Sequence, residues 1–383
     1  MEIKPEIDTF AKIKVIGVGG SGGSAVSQMV ESKIKGVEFV AINTDAQALH
    51  HCKASKKLNI GKSVTRGLGA GMDPEMGRKS AEENQNEIRE LLKDTDMAFI
   101  TCGLGGGTGT GASPIVAGIA KELGALTIAV VTKPFSFEGA ERKTTADRGH
   151  EELESKVDTI ITIPNDRILQ IIDKKTTLID AFTVCNDVLR QGVQGIADLI
   201  TVPGLTNVDF ADVKFIMKDA GSAMMGIGSA SGDNRAVEAA KQAISSPLLE
   251  LSIDGAKGIL FNVTGGKNLG MHELNEAAKI VTEQADPNAK IIYGTVINDS
   301  FKDELQITVV ATGFGENPKS SQNSIENISK FGQRVTTPSF ATTVDKLSGD
   351  LKDKSEIASQ SKKSADSIDE DLEIPAFIRK KMM

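Results

Sequence analysis

The chain has 383 residues, which predicts about two domains at roughly 100–200 residues each, and its three cysteines, Cys52, Cys102 and Cys185, are too few and too far apart for a disulfide scaffold or a CxxC metal site. With 44 Lys and Arg against 52 Asp and Glu the net charge is −8, and only Arg379-Lys380-Lys381 forms a basic cluster, so nucleic acid is not an expected partner. The N-terminus lacks a signal pattern and no apolar run approaches the ~18 residues of a membrane span, so a cytoplasmic protein in a reducing compartment is expected.

Residues 1–12 read as a flexible N-terminus. From Ile13 the run IKVIGV reads as a buried strand that ends in Gly19-Gly20-Ser21-Gly22-Gly23-Ser24 and gives way to a helical pattern over Ala25 to Lys33. Strands follow at Val37 to Ile42, Asp96 to Thr101, Leu126 to Val131 and Thr159 to Ile163, with helices between them at Glu82 to Leu92, Ile115 to Leu123 and Glu141 to Lys156. This alternation predicts an α/β fold over 13–177, a Rossmann-like parallel sheet covered on both faces. Phe182, Cys185, Leu189, Val193, Ile196 and Ile200 recur every three or four positions, which predicts a long central helix within 178–203, stopped by Pro203-Gly204.

A second, smaller α/β domain is expected over 204–315. Its helices are read at Phe210 to Ala220, Arg235 to Ile244 and Met271 to Glu283, and its strands at Gly258 to Val263, Ala289 to Ile297 and Leu305 to Ala311. Met217, Met224 and Met225 read as core filling. Composition then shifts: 316–366 holds 14 Ser or Thr and only two aromatics, which predicts a disordered linker. The stretch 367–383 regains Leu372, Ile374, Phe377 and Ile378 between an acidic and a basic end, as a short recognition peptide would.

The glycines carry the chemistry. A turn that sets backbone N–H groups and a helix N-terminus against a phosphate needs glycine, which alone allows so close an approach. Gly17-Val18-Gly19-Gly20-Ser21-Gly22 meets this need and also fits GxGxxG, with Asp45 lying 23 residues further on, near the ~20 expected of a ribose-binding carboxylate in a dinucleotide fold. A second cluster, Gly103 to Gly111, has six glycines in nine residues directly after a strand, and Ser113-Pro114 suits the first turn of the helix that follows. Two such turns on adjacent strands suggest a triphosphate gripped from both sides. A third loop, Gly67 to Pro74, is placed to close over the terminal phosphate. Gly61-Lys62-Ser63 is not a P-loop, because position 56 is Lys56.

Gly105 to Gly111, GGGTGTG, resembles the signature of the tubulin/FtsZ GTPases, and the likeness runs from about Ile13 to Gly315 and into the final peptide. It includes GVGGSGGS, Asn43-Thr44-Asp45, Pro134 to Gly139, Arg142, Asn165-Asp166, Asn207 to Asp212 and Glu373 to Arg379. Ser21 and Ser24 depart from the commonest pattern, a longer glycine run followed by Asn. The resemblance implies a GTPase that polymerises head to tail and forms the division-ring scaffold in bacterial cytokinesis, cytoplasmic and assembled at the inner face of the membrane. It implies that Gly20, Ser21, Gly22, Gly23, Ser24, Gly107, Thr108 and Gly109 hold the α- and β-phosphates, with Ala70 and Gly71 near the γ-phosphate. Glu138 and Arg142 would touch the ribose, Asn165 and Asn186 would read the guanine edge, and Phe182 would pack on the base. Mg²⁺ would be held mainly by phosphates and water. Ile374, Pro375, Phe377, Ile378 and Arg379 would bind division proteins and membrane tethers.

Asp209 and Asp212 stand three apart at the start of a helix, where spacing alone reads as an N-cap. The resemblance implies instead that they enter the neighbouring subunit's nucleotide site and orient the attacking water, with Asn207 near the phosphates. Two alternatives stand beside this reading: an NAD-dependent oxidoreductase relying on Asp45, and a GTP-binding scaffold with negligible hydrolysis. His50-His51-Cys52 looks like a metal cluster but has no second ligand pair at suitable spacing.

Overall fold

The computed structural model describes residues 11–314, apart from 174, 203, 205, 207, 247–252 and 254. The elements, in chain order, begin with β1 (Ile13–Val18), α1 (Gly19–Glu31), β2 (Val37–Asn43), α2 (Ala46–His51), β3 (Lys56–Asn59), α3 (Lys62–Thr65), α4 (Pro74–Glu83), α5 (Gln85–Leu92) and β4 (Met97–Gly103). Next come α6 (Thr108–Glu122), β5 (Leu126–Lys133), α7 (Ala140–Glu154), β6 (Thr159–Pro164), α8 (Asn165–Ile168) and α9 (Leu178–Thr201). The last are α10 (Phe210–Met217), β7 (Gly221–Ser231), α11 (Arg235–Ile244), β8 (Gly258–Gly265), α12 (Met271–Glu283), β9 (Lys290–Ile297) and β10 (Glu304–Thr312).

One ten-stranded sheet runs in the order β3-β2-β1-β4-β5-β6-β7-β10-β8-β9. From β3 to β7 the neighbours are parallel, while β10 pairs antiparallel with both β7 and β8. Side chains alternate across each strand, so Ile13 and Val15 of β1 face a core with Val26, Val193 and Ile196. Ile16 and Val18 face the opposite core, with Ile88, Val116 and Leu153. A third core packs Ala239, Ala243 and Val281 of α11 and α12 on Phe261, Ile307 and Val309. Met217 and Met225 are buried, and Met224 packs against that third core. Among the described residues no helix is long and apolar enough to cross a membrane.

Several expectations need correction. The helix read over Glu82 to Leu92 is two, because Asn84 breaks the path between α4 and α5. The helix over Phe210 to Ala220 stops at Met217, and Asp219 takes φ +50°. Pro114 lies well inside α6, which begins at Thr108 rather than near Ile115. β7 went unread because GSAMMGIGSAS is rich in residues with little strand propensity. Gly228 is there for packing: a Cβ on it would lie 2.1 Å from the Ala239 carbonyl oxygen of α11.

Candidate functional site

The site forms where two strand ends meet two helix starts. β1 passes into α1 at Gly19, and four residues separate the end of β4 from the start of α6. Because β1 and β4 are sheet neighbours, their glycine turns lie side by side: a Cβ on Gly19 would fall 2.9 Å from the Gly109 nitrogen. Both helices therefore offer unpaired N–H groups and positive dipole ends at one place. Neither carries an acidic residue in its first turn, which favours an anionic ligand.

Gly20, Ser21 and Ser24 are exposed, Gly23 is half-buried, and Gly22 is buried against Thr101, whose carbonyl oxygen a Cβ would meet at 2.4 Å. Ser21 Oγ accepts the Gly103 N–H at 2.7 Å and so ties one glycine turn to the other. Ser24 Oγ donates back to the Gly20 carbonyl at 3.1 Å. In the second turn Gly107, Thr108 and Gly109 are buried, and the Thr108 hydroxyl lies 2.6 Å from that of Thr44. The third loop takes left-handed conformations at Gly67, Gly69, Gly71 and Met72. It sets Ala70 so close to the second turn that a Cβ on Gly107 would meet the Ala70 Cβ at 2.8 Å. Gly71, exposed, follows Ala70 on the same loop. Behind the second turn stands Gly77 of α4, whose Cβ would lie 2.4 Å from the Gly107 carbonyl oxygen.

Glu138 accepts the Phe135 N–H at 3.0 Å and pairs with Arg142 at 2.9 Å. Arg142 Nε and Asn165 Oδ1 are buried with no hydrogen-bond partner among the described residues. An unsatisfied buried polar atom costs about 1–3 kcal/mol, so both atoms suit a ligand with matching groups, and Asn165 Oδ1 would accept from a base N–H. Phe182 and Asn186 sit one turn apart on α9. Phe182 is 41% exposed and meets Phe135 edge to face at 5.6 Å, while Phe135 stacks on the exposed Phe137 at 4.9 Å. Burial pushes the thiols of Cys102 and Cys185 up to about 12, so neither is a nucleophile at neutral pH.

The carboxylates are placed differently. Asp209 caps α10 by accepting the Asp212 N–H at 2.8 Å, and both residues are exposed. Asn207, the linker and the peptide with Ile374 to Arg379 lie outside the described residues. Asp45 accepts from the N–H groups of Gln47 and Ala48 at 2.8 and 3.0 Å, so it caps α2 rather than standing free for a dinucleotide ribose. The Cys52 thiol donates to the Gly23 carbonyl at 3.3 Å, beneath the first turn, beside a cavity of about 540 Å³ that Ser24, Gln28 and Asn43 help to line. The pairs Ser21–Gly103 and Thr44–Thr108 went unseen in the sequence because each joins residues distant along the chain.

A family model described as the Tubulin/FtsZ family, GTPase domain, matches residues 12–173, and one described as the FtsZ family, C-terminal domain, matches 221–315. A solved FtsZ dimer from M. jannaschii is 47% identical, with a TM-score of 0.77, over 80% of this chain and 89% of that one. A GDP-bound CetZ1 monomer from Haloferax volcanii, 22% identical, covers 83% of this chain and 99% of that one at a TM-score of 0.70 and bears on the fold alone. CetZ2 from the same organism, solved as a GTPγS-bound protofilament, is 21% identical at a TM-score of 0.68, over 83% of this chain and 99% of that one.

Proposed function

Because this chain belongs to the tubulin/FtsZ family of GTPases, we propose that it hydrolyses GTP in the cleft between its glycine turns and polymerises head to tail as the division-ring scaffold of a bacterium. The observation that carries the reading is the convergence of two glycine turns and two helix N-termini, so close that a Cβ on Gly19 would fall 2.9 Å from the Gly109 nitrogen. Gly20 to Ser24 and Gly107 to Gly109 hold the α- and β-phosphates, and Ala70 and Gly71 face the γ-phosphate. Glu138 and Arg142 take the ribose. Asn165 and Asn186 read the guanine edge, for which the partnerless Asn165 Oδ1 is suited, and Phe182 covers the base with its exposed ring. Mg²⁺ would be held chiefly by phosphate oxygens and water rather than by a protein cage and would supply charge neutralisation for phosphoryl transfer.

Asp209 and Asp212, exposed at the start of α10, act in the nucleotide site of the next subunit together with Asn207. There they orient the attacking water, so turnover depends on assembly. A head-to-tail contact that does not close produces a filament. The M. jannaschii FtsZ solved as a dimer and CetZ2 solved as a protofilament support self-association. In this reading 13–177 is the GTP-binding domain, 178–203 the central helix and 204–315 the activation domain. The linker 316–366 then sets the reach of a peptide, 367–383, that recruits division proteins and membrane tethers to the cytoplasmic face.

The test is phosphate release against protein concentration, with light scattering on the same samples, for the intact chain and Asp212→Asn. Specific activity should rise steeply above a threshold with scattering, and the substitution should abolish turnover while filaments persist. Activity per molecule that is flat with concentration would mean a self-contained site.

A further inference from the structure

The Thr44–Thr108 contact has a direction that burial fixes. The two hydroxyl oxygens are 2.6 Å apart, so one hydrogen lies between them and the other points elsewhere. Thr44 follows the last residue of β2 and is 0% exposed, and among the described residues its hydroxyl meets no polar atom except Thr108 Oγ1. Thr108 is the first residue of α6, 9% exposed, in the turn assigned to the phosphates. If Thr108 donated, the Thr44 hydrogen would be left without an acceptor in a dry core, an arrangement that native structures avoid. Thr44 is therefore the donor. The Thr108 oxygen is occupied as an acceptor, and its own hydrogen is turned toward the cleft, where an anionic acceptor satisfies it.

We propose that Thr44 is a positioning residue for nucleotide binding, which orients the Thr108 hydroxyl as a ready donor to a bound phosphate oxygen. The proposal rests on the assignment of the second glycine turn to the phosphates. The backbone of the same residue lies beside the third loop: Thr65 Oγ1 accepts the Gly67 N–H at 3.3 Å, donates to the Gly61 carbonyl at 3.0 Å and is 3.4 Å from the Thr44 carbonyl oxygen. Thr44 thus stands between the loop beside the γ-phosphate and the turn that holds the β-phosphate, and fixes the geometry of the second without touching the ligand.

The experiment compares GDP and GTP dissociation constants, by titration calorimetry, for the full chain and for Thr44→Val, Thr44→Ser, Thr108→Val and the double variant Thr44→Val/Thr108→Val, with a melting curve for each without nucleotide. Thr44→Val keeps the shape and removes the donor. It should weaken both nucleotides about tenfold, equivalent to about 1.4 kcal/mol, with its melting temperature retained. Thr44→Ser should restore binding to within twofold, and the double variant should bind no worse than Thr108→Val alone. Should Thr44→Val fail to fold, Thr44→Ala carries the same expectation. Binding by Thr44→Val within twofold of the parent, or losses that add in the double variant, would overturn the proposal. A folded parent chain that binds no guanine nucleotide would overturn the site assignment itself, and this proposal with it.

Discussion

Gly77 offers a test of how the phosphate turn is held, because it touches no ligand and stands directly behind Gly107. A methyl at position 77 would sit 2.4 Å from the Gly107 carbonyl oxygen and 3.1 Å from Thr108 Cα. Ordinary contact begins near 3.4 Å, so Gly77→Ala must displace backbone by about 1 Å. Helix propensity favours alanine by about 1 kcal/mol, while overpacking of this kind costs about 1–3 kcal/mol. The net loss of stability is therefore small, at most about 2 kcal/mol, and the larger effect falls on the cleft. Moving the N–H groups of Thr108 and Gly109 by about 1 Å forfeits at least one hydrogen bond to a charged oxygen, worth about 1.5–3 kcal/mol. GDP affinity, measured by calorimetry, should fall at least tenfold. Gly118, on the same helix α6, has nothing within 4 Å of its would-be Cβ, and Gly118→Ala should raise stability by up to about 1 kcal/mol with binding unchanged. If Gly77→Ala binds GDP within twofold of the parent, the turn is not positioned by α4 and the reasoning fails.

Asn165→Leu removes a buried carbonyl oxygen that has no partner, so the nucleotide-free protein should be no less stable, whereas guanine nucleotide should bind more than tenfold more weakly; a melting curve and a GDP titration read the two effects separately. Arg235 joins α11 to α12 through Glu273, with Nε–Oε1 at 2.6 Å and Nη2–Oε2 at 3.0 Å. Arg235→Ala should cost about 2–3 kcal/mol in denaturant unfolding. The Arg235 hydrogen bond holds the Glu273 carboxyl below its ordinary value of 4.5. Its contribution is therefore full above that pH and is lost as pH falls through the lower, folded value. Stability measured from pH 6 to pH 3 should decline more steeply for the parent than for Glu273→Gln, and parallel declines would refute the assignment.

The parts of the fold legible in the sequence were those whose residues state their own environment. The apolar runs of β1, β4 and β5 are buried on both faces, and the glycine turns after β1 and β4 announce a close backbone approach. β7 escaped because Gly228 answers to the backbone of α11, a neighbour that the local pattern does not contain. The site was legible as a set of glycines and far less so as a set of contacts. Asp45 stood at a distance that suits a ribose acid, yet the nearer demand, the free N–H groups of α2, takes its carboxylate. Thr44 and Thr108 are 64 residues apart, and nothing in either local sequence marks the other.

The place of β10 in the sheet bears on how the chain is made. Among the described residues it is the last strand along the sequence, yet it lies inside the sheet, between β7 and β8. During synthesis at about 5–20 residues per second, the roughly 80 residues from the end of β7 to the end of β10 take about 4–16 seconds to appear. Throughout that interval β7 presents an open edge, joined by that of β8 once residues 258–265 are made, and each is the kind of surface to which a strand of another chain can add. A nascent chain of this protein therefore carries these adhesive edges until β10 emerges. Any truncation before residue 304 would make that transient state permanent.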